Sequence, residues 1–359
     1  MYRAGIIGTG GVAGMGIFGT DPTESIGTEP VDRSHAGGYR AASDIELVAI
    51  ADIDSDALNR FGEAWNIPAE DRYLSHEAML AEAELDIVSI CSPSMYHRQH
   101  VIDAANTEGM QAMWCEKPLS CSVADAEAAT TACASADVHL VVNHSTRFLR
   151  QSGALRRALA DDLIGDIQSV SAGTSMELFR VGTHTVDLVR YLINQRATAV
   201  GGIVTEVNEA AAHLGDDVRL DDAGGGGFIQ FEGDIFATFD GTVDRDTAAT
   251  FIRIVGSDGR LILDEHGWTH WVGGGRSGDP LEARDPPTDE FEDDHRQSFV
   301  NAANHLVDLI DGDVTNISPG DDAVLTTEIL IGFFISHATG ATIDFPLDEP
   351  LKDVTVTSW

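Results

Sequence analysis

Lysine is almost missing from this sequence. Only Lys117 and Lys352 occur among 359 residues; the other basic residues are arginines, and 22 basic side chains face 59 acidic ones for a formal net charge of −37. So negative a surface repels phosphate backbones and anionic lipid, which argues against nucleic acid and membranes as partners. The carboxylates run along the whole chain rather than gathering in a tail. A dispersed acidic surface nearly free of lysine suits a protein kept soluble in molar salt, where charge repulsion is screened within about 3 Å. The cytoplasm of an extreme halophile is the expected setting. Cysteine is scarce as well: Cys91, Cys115, Cys121 and Cys133 show no C-x-x-C spacing, so neither a disulfide framework nor a metal site is expected. No apolar run reaches the roughly 18 residues of a membrane-spanning helix. The start, Met1 to Gly8, leads at once into a short apolar strand, with no charged region, long apolar stretch and cleavage site of a secretory signal. No internal repeat occurs.

What is present changes texture part-way along. A chain of this length is long for one hydrophobic core and comfortable for two domains. Over the first 143 residues short apolar runs at 3–7, 45–51, 85–91, 110–115 and 138–143 alternate with helix-like stretches at 54–65, 75–83, 96–108 and 123–136. Ser75 and Ser122 are placed as N-caps. Such alternation is the pattern of parallel βαβ units. Beyond residue 150, helices are expected over 153–161 and 183–192. Strand-like segments at 227–232, 235–243, 249–255 and 261–264 follow, separated by glycine and aspartate, the mark of an antiparallel sheet. A Gly-, Pro- and Asp-rich loop at 273–294 precedes helices over 299–311 and 322–338. We therefore expect a dinucleotide-type domain over residues 1–143, then an α+β domain with a mainly antiparallel sheet over 144–359.

Three constellations carry chemistry. Gly8-Thr9-Gly10-Gly11-Val12-Ala13 follows the first strand directly, where glycines permit a tight turn and let backbone N–H groups approach a pyrophosphate at a helix N-terminus. The second strand ends at Asp52, an acidic residue suited to ribose hydroxyls and hostile to a 2′-phosphate, which favours NAD while leaving NADP possible. Residues 15–33 read as an insertion before a helix resumes at 34–42. Ser92-Pro93 and His97 fall at the end of the third expected strand, on the ligand-binding edge. Glu116-Lys117-Pro118 ends the fourth. Arginine cannot relay a proton, whereas a lysine can; in a chain that has replaced lysine nearly everywhere, Lys117 stands out as a reacting group. In Gly182-Thr183-His184-Thr185-Val186-Asp187, His184 and Asp187 share one face near a helix start, so the histidine can serve as acid or base with the aspartate orienting it.

Taken with Asn143-His144-Ser145-Thr146-Arg147-Phe148, Ile254-Val255-Gly256-Ser257-Asp258-Gly259-Arg260 and Gly320-Asp321-Asp322-Ala323, these motifs resemble the Gfo/Idh/MocA family over essentially the whole chain. The resemblance implies an α/β Rossmann domain joined to an α+β domain with an open-faced, mainly antiparallel sheet, and an NAD(P)-dependent dehydrogenase or reductase acting on a hydroxyl-bearing carbon of a sugar, sugar acid or cyclitol. It further implies Lys117 and His184 as the catalytic pair, and a homodimer or homotetramer. Gly8 to Ala13, Asp52, Ser92, Pro93, His97, Glu116 and Lys117 would line the cofactor; His97, Arg147, Arg180 and Asp187 would line the substrate. Arg180 stands where the family commonly has an aspartate four residues before the histidine, so an anionic substrate group is expected beside it. Two further readings of the same fold remain open: internal redox with a tightly held NAD, in hydrolysis or sugar–sugar oxidoreduction, and a non-catalytic dinucleotide sensor.

Overall fold

The computed structural model describes residues 1–16, 32–205, 219–264, 267–273, 280–284, 295–312 and 314–358. The chain divides into two compact units that interleave rather than meet once near residue 143. Met1–Ser120, Asp125–Leu149 and Asp294–Asp321 form the first; Cys121–Ala124, Arg150–Asp293 and Asp322–Trp359 form the second.

In the first unit β1 (Tyr2–Ile7), α1 (His35–Ala41), β2 (Ile45–Ala51), α2 (Ser55–Trp65), β3 (Arg72–Tyr73), α3 (His76–Glu82), β4 (Ile87–Ile90), α4 (His97–Ala105), β5 (Ala112–Cys115), α5 (Val123–Ala136) and β6 (His139–Val142) alternate. The strands pair in parallel in the order β3-β2-β1-β4-β5-β6. β4 and β5 are buried at every position, as parallel strands covered on both faces must be. Polar caps set the helix starts: Ser34 accepts from the Gly37 N–H, Asp54 from Asp56 and Ala57, and Ser75 from Ala78. Asn66 takes the left-handed conformation that ends α2. β3, which the periodicity misses, has two residues, too few for any pattern. The glycine turn also departs from expectation: Gly11–Met15 forms a single π-helical turn, with Gly14 outside helical geometry, instead of opening an α-helix. Of the insertion, residues 17–31 lie outside the described residues. α8 (His295–Ile310) belongs to this unit, where Phe299, Ala302, Ala303, Leu306 and Leu309 join Phe61, Trp114 and Phe148 in one core.

The second unit contains α6 (Arg150–Ala160), β7 (Ile167–Ser175), α7 (Thr183–Ile193), β8 (Ala197–Val204), β9 (Arg219–Asp221), β10 (Gly225–Phe231), β11 (Phe236–Val243), β12 (Phe251–Gly256), β13 (Gly259–Asp264), β14 (Gly267–Val272), β15 (Glu282–Arg284), nearly all of α9 (Gly320–Thr339), β16 (Ile343–Asp344) and β17 (Thr355–Thr357). Nine strands form one sheet, ordered β15-β14-β13-β12-β7-β11-β10-β8-β16, and β17 pairs with β9 alone. Every neighbour in the nine is antiparallel except β7 and β11. β7 was not legible because its serines, alanine and glycine carry little strand preference. Along β11, Ala237, Phe239 and Gly241 turn inward and Phe236, Thr238 and Asp240 outward, so one face packs the core with α6, α7 and α9.

Candidate active site

The order β3-β2-β1-β4 reverses between β1 and β4, and in such sheets ligands bind outside the carboxyl ends of the strands at that point. The glycine turn lies there. Gly8 has φ +88°, and a Cβ on it would come within 2.7 Å of the Ser92 nitrogen and 2.8 Å of the Cys91 carbonyl carbon, so only glycine lets the turn pack against the end of β4. Gly10 is the opposite case: a Cβ there would meet nothing within 4 Å, and that backbone faces open space. Thr9 donates from its backbone N–H at 2.7 Å and its hydroxyl at 2.8 Å to Asp52 Oδ2, and the Asp54 N–H reaches Asp52 Oδ1 at 2.9 Å. Asp52, expected only at a ribose, therefore also ties the end of β1 to that of β2. Val12 and Ala13 lie in the π-helical turn, Ala13 buried.

At the ends of β4 and β5 the predicted residues separate by role. Ser92 Oγ pairs with His100 Nδ1 at 2.9 Å. His97, expected to reach substrate or cofactor, does neither by its ring nitrogens: Nδ1 lies 2.9 Å from the Pro118 carbonyl and Nε2 2.7 Å from the Ser92 carbonyl, and the ring is buried. It clamps the loop after β4 to the one after β5, and burial holds its pKa below the usual imidazole value despite both carbonyls. Glu116 is buried directly before Lys117. Its Oε1 accepts from Asn143 Nδ2 and pairs with His35 Nε2 at 3.0 Å; its Oε2 accepts the Lys117 N–H at 3.3 Å. Burial alone would raise the Glu116 carboxyl, but His35, Lys117 and Asn143 together hold it below the ordinary value. Lys117 is half-buried at the carboxyl end of β5. Arg147 corrects another expectation. It is 2% exposed and donates from Nη1 to the Ile317 carbonyl at 2.9 Å, a staple within the first unit without surface for a substrate.

In the second unit His184 lies one residue inside α7 and keeps part of its surface exposed, while Thr183, Thr185 and Val186 are buried. Asp187 is fully buried and accepts from Thr326 Oγ1 at 3.3 Å; Arg190 Nη1 reaches the same hydroxyl at 2.9 Å and the Asp322 carbonyl at 2.7 Å. It thus anchors α7 to α9 instead of meeting a substrate, as expected of it. The turn entering α7, Leu178–Gly182, hangs from Asp222, whose two oxygens accept the N–H groups of Phe179 and Arg180 at 2.9 Å each. Arg180 Nη1 lies 3.5 Å from Glu177 Oε2, and Arg245 Nη2 pairs with that same oxygen. Glu177 holds this place with φ +76°, a conformation side chains other than glycine seldom adopt. His35, Asn143, Glu177, Asp222 and Arg245 were not singled out from the sequence as site residues. A polar residue embedded in an apolar helix face, such as His35, was the only signal available. A cleft of about 670 Å³ lined by Arg156, Asp162, Asn194 and Asp234 opens at the opposite end of α7 from His184.

Residues 2–144 match the Gfo/Idh/MocA oxidoreductase family's NAD-binding Rossmann fold, and residues 170–345 match its C-terminal alpha/beta domain. The chain belongs to the Gfo/Idh/MocA oxidoreductase family. Among its relatives, D-apiose dehydrogenase of Paraburkholderia graminis is 26% identical over 93% of this chain and 92% of its own. Myo-inositol 2-dehydrogenase of Thermotoga maritima is 26% identical over 71% of this chain and 74% of its own. The WlbA dehydrogenase from Bordetella pertussis, solved with NADH and UDP-GlcNAcA, superposes with a TM-score of 0.74 at 18% identity, covering 97% and 99% of the two chains. An oxidoreductase from Agrobacterium radiobacter, solved with NAD+, L-tartaric acid and magnesium, gives 0.72 at 22% identity over 96% and 98%. As a Gfo/Idh/MocA member the chain is an NAD-binding oxidoreductase, and its glycine turn fits that cofactor: Gly10 leaves the backbone open where Gly8 seals it from behind. Among the described residues no helix is long and apolar enough to cross a membrane, and no three His, Cys, Asp or Glu side chains are grouped to hold a metal.

Proposed function

We propose that this protein oxidises, or in reverse reduces, a hydroxyl-bearing carbon of a sugar, sugar acid or cyclitol, with Lys117 and His184 as its catalytic residues. The observation that carries the reading is Lys117 at the carboxyl end of β5, beside the strand-order switch and locked by Glu116, in a chain with one other lysine. NAD when bound supplies the hydride acceptor. Gly8 to Ala13 and the loop of Ser92 and Pro93 would hold its pyrophosphate, and Glu116 with Lys117 would line the rest of the cofactor site. Asp52 takes a ribose hydroxyl with the carboxylate capacity that Thr9 and Asp54 leave, a preference for NAD over NADP. Lys117 and His184 handle the hydroxyl proton, and the ammonium stabilises the oxygen as it becomes negative.

The relatives named for apiose and inositol support a polyol-type substrate. Arg180 and Arg245, converging on Glu177, favour a substrate with a carboxylate or phosphate that competes for those guanidinium groups. The outward face of the nine-stranded sheet carries Ile203, Phe236 and Phe251, each at least 40% exposed, which suits a homodimer or homotetramer. The acidic, lysine-poor surface suits a halophile's cytoplasm. The deciding experiment is a panel of aldoses, uronates and cyclitols with NAD or NADP in molar KCl, following absorbance of the reduced nicotinamide. Turnover of none, with cofactor retained through gel filtration, rejects a freely exchanging dehydrogenase. Arg180→Ala raises KM for uronates about tenfold or more and leaves it unchanged for neutral polyols; an equal KM for every substrate refutes the anion seat.

A further inference from the structure

Behind Lys117 runs a chain of buried polar groups that the proposed reaction leaves unused. Tyr39 Oη lies 2.6 Å from Ser89 Oγ, Ser89 Oγ lies 2.8 Å from His35 Nδ1, and His35 Nε2 lies 3.0 Å from Glu116 Oε1. His35 and Ser89 are 0% exposed and Tyr39 1%. Ser34 caps α1 and sets His35 as its first residue, and the His35 ring packs 3.8 Å from the Trp114 ring, centroid to centroid, with Phe299 at 5.7 Å. His35 and Tyr39 are four apart and so project from one side of α1. Nothing in this geometry serves the pyrophosphate turn.

The donor directions follow from the chemistry at either end. An ionised Glu116 only accepts, so His35 Nε2 carries a proton and donates it there. Burial pushes the Tyr39 phenol well above its usual range, so Tyr39 keeps its proton and donates to Ser89. Ser89 can then donate to His35 Nδ1, and each group hands its hydrogen bond to the next until the series ends on the carboxylate. The other titratable groups nearby do not compete for that charge. Burial raises the thiols of Cys91 and Cys115 well above their ordinary value and keeps them neutral, and it depresses His97 on α4. Glu116 is the anion of the cluster, and Lys117 its cationic neighbour.

We propose that His35 is a positioning residue: through its hydrogen bond it keeps Glu116 ionised and in one orientation, and Glu116 in turn fixes the Lys117 backbone and holds the Lys117 amine as an ammonium. Without the His35 donor, only Asn143 and Lys117 oppose the burial that favours the protonated carboxyl, the negative charge beside Lys117 weakens, and the ammonium is easier to deprotonate. Lys117 then loses both the charge that steadies a developing alkoxide and its fixed place at the end of β5. The proposal rests on the reading of Lys117 as the reacting amine only for its consequence on turnover.

The near-absence of lysine makes the test direct. Reductive methylation with 13C-formaldehyde labels Lys117, Lys352 and the N-terminal amine, and their methyl resonances are followed against pH in molar KCl. The expected result is that His35→Leu lowers the Lys117 midpoint by about one pH unit or more, while Lys352 does not move. His35→Gln, which retains an N–H donor toward Glu116, restores most of the wild-type midpoint. An unchanged Lys117 midpoint in His35→Leu overturns the proposal, whatever happens to its melting temperature, because a merely structural histidine affects the melt alone. Should His35→Leu fail to fold, Ser89→Ala decides instead: a smaller shift in the same direction supports the relay, and none rejects it. The midpoints need no substrate, so a failure of the proposed dehydrogenase activity leaves them readable. Where turnover is found, His35→Leu lowers kcat about tenfold or more and moves the pH profile with the Lys117 midpoint, with NADH affinity unchanged.

Discussion

Gly8 and Gly10 stand two residues apart in one turn, and alanine at each has opposite consequences. At Gly8 the backbone lies at φ +88°, where a side chain costs about 1–2 kcal/mol. The added methyl also meets backbone at 2.7 and 2.8 Å, which cannot move aside as a flexible side chain would. Overpacking of that kind adds about 1–3 kcal/mol, for a total near 2–5 kcal/mol. At Gly10 the backbone is already extended, φ −77° and ψ −164°, and a methyl meets nothing. Gly10→Ala therefore leaves stability within about 0.5 kcal/mol of the parent. Its methyl fills the space a pyrophosphate needs, and NADH affinity falls tenfold or more, about 1.4 kcal/mol. Denaturant melts in molar KCl read the first effect and NADH fluorescence titrations the second. Gly10→Ala binding NADH as tightly as the parent refutes the placement of the cofactor over this turn. Gly8→Ala melting like the parent refutes the packing of the turn against β4.

Two further outcomes are expected. Lys117→Arg preserves the positive charge but not the proton transfer, so kcat falls about 100-fold or more with NADH affinity retained; turnover near the parent value removes Lys117 from proton transfer. The Asp222 carboxyl is pushed up to about 6, chiefly by burial with Glu177 adding, against the lowering by the Phe179 and Arg180 N–H groups. Its folded value lies above the ordinary one, so the stabilisation it contributes is complete below about pH 4 and is lost as pH rises through about 6. A rise from the ordinary carboxyl value to about 6 is worth about 3 kcal/mol. Melts of the parent and Asp222→Asn between pH 4 and 8 check it: the parent declines more steeply, and parallel curves contradict it.

The parts of the fold that pattern decides were legible. β2 and α5 begin and end where the apolar spacing places them, at Ile45–Ala51 and Val123–Ala136. β3 was too short to have a period, and the small residues of β7 gave none. Composition isolates Lys117, and its expected position at a strand end is the one observed, just beyond β5. His97 and Arg147 depart from expectation for a common reason: motif position puts a residue near the ligand edge, whereas the fold buries both, with the His97 ring nitrogens on two carbonyls and Arg147 Nη1 on a third. Asp187 follows the same logic, its carboxylate turned toward α9. His35 escaped notice because its partners, Ser89 and Glu116, are 54 and 81 residues away, and a single sequence carries no record of such distant pairings.

The return of α8 to the first unit bears on how the chain is made. The six-stranded sheet is complete by Val142, yet Phe299, Leu306 and Leu309, which finish its core, are synthesised some 150 residues later. On the ribosome the dinucleotide-binding sheet therefore waits with Trp114 covered by α1 but not by α8 while most of the second unit emerges. A fragment ending near residue 150 would retain the cofactor motif and lack the helix that shields it, so the native state of this half is a property of the finished polypeptide.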